Sequence, residues 1–164
     1  MNKAKAEVTL YQLTTHPLEK VLPRILEKVY DGGLRALVVT DSADHMQQLN
    51  SSLWTYSSGA FLPHGADGNK MVDPMENPIW ISTEMDNKNK ATILVLTNGR
   101  QVDDLSDYTR CVDIFDGNDP AVLSAAHCRQ EAYQKNGHSL VYWKQTLNGN
   151  WDQVPFNDDH LLLR

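Results

Sequence analysis

Cysteine is scarce here: Cys111 and Cys128 are the only two in 164 residues. Two thiols do not build a disulfide scaffold, and such usage fits reduced thiols in a cytoplasm. Long apolar runs are absent too. No stretch reaches the roughly eighteen apolar residues that a membrane-spanning helix needs. The first seven residues are polar and mixed in charge, without the apolar core of a secretory signal. Cations are outnumbered, with 15 Lys and Arg against 21 Asp and Glu and a formal net charge of −6. Nucleic-acid binders display basic patches, and no dense run of Lys or Arg occurs. Tight direct binding to DNA is disfavoured, although a local basic patch remains compatible with an acidic peptide.

The motifs of common chemistries are also missing. The turn after the first apolar segment is Thr14-Thr15-His16-Pro17, with none of the glycines of a dinucleotide loop, and no phosphate loop of the G-x-x-x-x-G-K-[ST] type occurs. The six histidines form neither H-x-x-x-H nor H-E-x-x-H. His127 and Cys128 are neighbours on a helical segment and point about 100 degrees apart. Neither a nucleophile elbow nor a Cys-His signature is visible. Asp113, Asp116 and Asp119 cluster near a strand end, but Asp119 precedes Pro120 and serves as a helix cap. No catalytic, cofactor-binding or metal-binding residue is assigned.

What is present is a regular alternation. Residues 8–13 alternate as a strand. Leu18, Val21, Leu22, Ile25, Leu26, Val29 and Tyr30 mark one face of a helix stopped by Gly32-Gly33, with Pro23 bending it or delaying its regular part. Residues 36–40 are a continuous apolar run, as in a strand covered on both faces. Asp41 or Ser42 caps a second helix bearing Met46, Leu49 and Leu53. Residues 55–77 read as a long loop. Strands follow at 78–83, 91–97 and 112–115. A helix starts at 119–120, buries Val122, Leu123, Ala126 and Tyr133, and ends at Gly137; a last strand covers 140–143. The class is α/β, three-layered, with a largely parallel sheet. One domain, residues 1–146, precedes a polar extension, 147–164.

One run has no catalytic logic. Residues 53–65, LWTYSSGAFLPHG, pack aromatic side chains, Pro and Gly into a helix exit and loop. Such a run is either a small core cluster or an aromatic platform for another protein. It resembles the L-W…F-[LV]-P-H signature of the DNA polymerase III chi subunit family. Further segments match in order: Thr9 to Leu13 resembles the F-Y-x-L opening strand, Arg35 to Val39 the second strand, and Pro78 to Ile81 the strand after the P-H loop. Val112 to Asp116 resembles the V-D-x-F step. Arg129, Tyr133 and Gly137 resemble the closing R-x-x-x-Y-x-x-x-G helix. The resemblance spans about residues 7–145.

It implies a Rossmann-like fold without nucleotide catalysis or cofactor. The implied role is an accessory subunit of the bacterial replicative polymerase. Such a subunit is associated with the clamp loader, pairs with a psi subunit, and grips the acidic, phenylalanine-ended C-terminal tail of the single-stranded-DNA-binding protein. DNA is then met only indirectly. The protein-binding residues it implies are Trp54, Tyr56, Phe61, Leu62, Pro63, His64, Phe115, Arg129, Tyr133 and Lys135. His127, Gln130 and Glu131 stand where better-known members are basic, which implies a weaker grip or one that uses Arg100 or Arg110. The rival readings are a small nucleotide- or phosphate-dependent α/β enzyme and a nucleic-acid-binding remnant.

Overall fold

The apolar segments pair into a single sheet in a computed structural model that describes residues 5–56, 62–68 and 70–155. Strand β1 (Glu7–Leu13) leads into helix α1 (Leu18–Asp31), then β2 (Ala36–Val39) and α2 (Ala43–Thr55). Next come β3 (His64–Ala66), a 3-10 turn (Pro74–Glu76), β4 (Ile79–Ser82), β5 (Ile93–Leu96) and β6 (Arg110–Asp116). Helix α3 (Pro120–Lys135) and strands β7 (Ser139–Gln145) and β8 (Trp151–Val154) close the described part. The sheet order is β3-β4-β2-β5-β6-β1-β7-β8. Each pairing is parallel except that of β7 with β8.

Burial explains which strands are continuous apolar runs and which alternate. β2, β4 and β5 lie inside the sheet, and all of their residues are buried, as strands covered on both faces must be. One core layer gathers Leu22, Leu26, Leu49, Leu53, Val38, Ile81, Val95 and Ile114 under α1 and α2. The opposite layer gathers Leu10, Leu37, Trp80, Leu94, Phe115, Ala126 and Tyr133 under α3. α1 runs on through Pro23; the absent N–H removes one rung of the ladder but leaves the buried face intact. Gly32 and Gly33 end it, and Gly33 takes the left-handed φ of 73° that glycine tolerates without cost. Ser42 is the residue that caps α2, accepting from His45 N at 3.2 Å. Asp119 caps α3, accepting from Ala121 N at 2.9 Å. Val122 and Leu123 are only half-buried, while Arg129 and Gln130 are buried in their place.

Two segments differ from the sequence reading. The long loop contains β3, a strand of only three residues, His-Gly-Ala, whose composition has little strand preference. It exists because β4 offers an open edge for pairing. The polar extension contributes β8, which pairs through Tyr142↔Val154 and Gln145↔Trp151.

Candidate functional site

The helix-exit platform is built from the chain upward. α2 ends beside the short strand β3, so Trp54 on the helix and His64 on the strand come together with ring centroids 4.5 Å apart. Trp54 is 58% exposed, while Leu62 and His64 are buried at 1% and 5%. The His64 Nδ1–H donates to the Leu62 carbonyl at 2.7 Å, which fixes the ring under the indole. His64 Nε2 is buried with no hydrogen-bond partner among the described residues. Pro63 and Tyr56 are half-buried. Burial, then a hydrogen bond with Glu27 and the charges of Glu27 and Asp31, raise the Tyr56 phenol pKa. Phe61 lies outside the described residues. The run is therefore core and platform at once: Leu62 and His64 hold it from below, and Trp54 presents its ring.

The remaining candidates lie in the other layer. Asp113 on β6 accepts from Arg129 Nε at 2.7 Å, from Arg129 Nη2 at 3.0 Å and from the Tyr133 hydroxyl at 2.8 Å. All three residues are at most 5% exposed. Burial opposes the guanidinium charge, but Asp113 outweighs it and raises the Arg129 pKa. Burial first, then the Asp113 charge, pushes the Tyr133 phenol upward. Phe115 is buried under α3, and Lys135 is exposed in the last turn of that helix. Trp54 and Arg129 thus sit on opposite faces of the sheet, and the structure does not bring them into one pocket.

A cleft of about 780 Å³ opens where the connection after β1 leaves toward α1 and that after β6 leaves toward α3. Such switch points are where α/β folds bind ligands. Phe115 and Arg129 help to line it. Its loop amides are already used: Gln145 Oε1 accepts from Thr14 N at 3.1 Å, Thr15 N at 2.9 Å and His16 N at 3.0 Å. A side-chain carbonyl occupies the place that a phosphate takes in a glycine-rich loop. No group of His, Cys, Asp and Glu suited to a metal occurs among the described residues, and no described helix is long and apolar enough to cross a membrane.

Asp113 and Gln145 escaped the sequence reading as site builders. For Asp113 a signal was available. It falls at an alternate position of β6 between Cys111 and Phe115, and Arg129 and Tyr133 share one face of α3 at a spacing of four. The same environment separates the two thiols. Cys111 is fully buried, and burial, then Asp113, raises its pKa well above the usual value, whereas Cys128 is exposed. One thiol per chain is expected to react with an aromatic disulfide reagent in the native protein, and the second only in denaturant. Two fast thiols in buffer would contradict the placement of Cys111.

A mostly parallel sheet covered by helices on both faces defines a three-layer α/β domain. The C-terminal domain of the DEAD-box protein Dbp5 shares it with a TM-score of 0.51 and 12% identity, over 85% of this chain and 91% of that one; the likeness is one of fold alone. The sequence model of the family described as DNA polymerase III chi subunit, HolC, matches residues 6–141, and the chain belongs to that family. The probable DNA polymerase III subunit chi of Rickettsia prowazekii (strain Madrid E) is 26% identical over 113 residues, 69% of this chain and 67% of that protein. The process served is DNA replication, as an accessory component of the polymerase.

Proposed function

We propose that this protein is a non-catalytic, cytoplasmic subunit that joins the clamp-loader assembly and ties the polymerase to the single-stranded-DNA-binding protein by gripping that protein's acidic C-terminal tail. A psi-type subunit or another clamp-loader component is its second partner. The observation that supports this reading best is the exposed Trp54 ring packed against the buried ring of His64. Aromatic anchors on a fixed support give affinity at small entropic cost. The terminal phenyl ring of the tail packs against Trp54, with Tyr56 and Pro63 bordering it. The bidentate bond with Asp113 commits much of the Arg129 guanidinium, and α3, which carries both Arg129 and Lys135, lies across the sheet from Trp54, so neither cation serves the pocket beside that ring. Phe115 and Tyr133 support α3 from inside. The docking domain expected over residues 1–146 takes in β8 as well, since that strand extends its sheet.

Burying the phenyl ring contributes about 1.5–3 kcal/mol, which is roughly a ten- to hundredfold change in affinity. A labelled tail peptide is expected to bind in the micromolar range by fluorescence anisotropy and to weaken at least tenfold without its final Phe or on Trp54→Ala. Equal binding by the truncated peptide, or by Trp54→Ala, would move the site elsewhere.

A further inference from the structure

A second groove, of about 730 Å³, runs between α1 and the β7–β8 hairpin, over the opposite end of the sheet from Trp54. Its floor is aromatic. Tyr11 stands opposite Trp143 in the β1–β7 register, and Trp151 joins the same face from β8, with its ring edge-on to Tyr11 at 5.2 Å. All three rings are half-exposed. Its wall is basic. Lys20, Arg24 and Lys28 recur at every fourth position of α1 and line the groove, which spaces them about 6 Å apart along the helix. All three are exposed, and none takes part in an ion pair among the described residues.

We propose that this groove binds single-stranded DNA directly. Repeated cations beside repeated rings on an open sheet face are what a single strand needs: phosphates follow the charges and bases stack on the rings. An acidic peptide with one terminal ring needs one pocket and has no use for three platforms. Glu27 and Asp31 also line the groove, so the contact is weak and depends on salt. It goes beyond the tail-binding reading, because it adds a direct contact with the template.

The test uses the whole chain and a fluorescein-labelled fifteen-residue oligothymidylate. With three phosphates neutralised, the logarithmic salt slope is about −2, and binding falls about 20-fold between 50 and 200 mM salt. The double charge reversal Lys20→Glu/Lys28→Glu changes two exposed side chains and leaves the fold in place; it is expected to weaken binding at least tenfold. Trp151→Ala, on the edge strand, is expected to weaken it at least fivefold through lost stacking; should it unfold, the charge reversal still decides. Absence of binding at 20 mM salt, or equal binding by the charge-reversed variant, overturns the proposal. So does a glutamate-rich peptide ending in phenylalanine that displaces the oligonucleotide and binds more tightly, since the groove would then be a peptide site.

Discussion

Asp113→Ala is expected to lower the free energy of unfolding by about 3–5 kcal/mol, the usual cost of removing one member of a buried ion pair. The Arg129 guanidinium would be left at 5% exposure with no anion beside it, and the Tyr133 hydroxyl would lose its acceptor. Domains have only about 5–15 kcal/mol to lose, and for a chain of this size the change corresponds to a fall in melting temperature of about 6–20 °C. Arg129→Ala is expected to behave alike, because it strands the carboxylate. Arg129→Lys keeps the charge but not the two parallel N–H donors, and falls between. The apolar double replacement Asp113→Leu/Arg129→Met is expected to recover part of the loss, since buried pairs are replaced by apolar side chains at little cost. Thermal and urea denaturation of the four variants measure this directly. A single replacement that moves the midpoint by under about 2 °C would show that the network contributes little. Any weakening of tail binding in Arg129→Ala must be read against this loss of stability.

Gly65→Ala is expected to cost about 1–3 kcal/mol by overpacking. A Cβ at this position would lie 2.5 Å from Trp80 Cζ3 and 2.9 Å from Val72 Cγ1. The indole cannot swing away freely, because its N–H donates to Asp67 Oδ1 at 2.8 Å, and Asp67 is also held by Ser82 and by Lys88 Nζ at 2.9 Å. Burial pushes the Asp67 pKa up, but those hydrogen bonds outweigh it and hold the carboxyl below its ordinary range. The last glycine of the F-L-P-H-G run is therefore required by the approach of Trp80 and not by backbone conformation. Trimming the ring with Trp80→Leu in the Gly65→Ala background is expected to cost less than the sum of the two changes. An unchanged melting temperature and unchanged tryptophan emission in Gly65→Ala would mean that the indole moves at no cost.

Much of this was legible in the chain. Apolar periodicity marked β1, α1, β2, α2, β4, β5, β6, α3 and β7 because each carries its own period of 2 or 3.6, or a continuous run of strand formers. Glycines, the Asp41-Ser42 pair and Asp119 marked the helix ends because capping is local chemistry, and the structure selects Ser42 from that pair. The signature segments could be recognised in order, although their roles could not. Val112 to Asp116 and Arg129 to Tyr133 are two ordinary motifs in sequence, and only the packing of α3 on β6 joins them through Asp113. The same packing withdraws Arg129 from the surface where a free cation was expected.

What the sequence determined by itself was therefore the α/β class, most of the elements, the family and the absence of a glycine-rich phosphate loop, each of which depends on residues close along the chain. The tertiary structure decided the pairing of β3 and β8 and the plugging of the first turn by Gln145. It also decided the split of Trp54 and Arg129 between two faces, and the gathering of Lys20, Arg24 and Lys28 beside Tyr11, Trp143 and Trp151. These contacts join positions as much as about 130 residues apart. A net charge of −6 counts charges without placing them, and only the fold sets three cations along one wall of a groove.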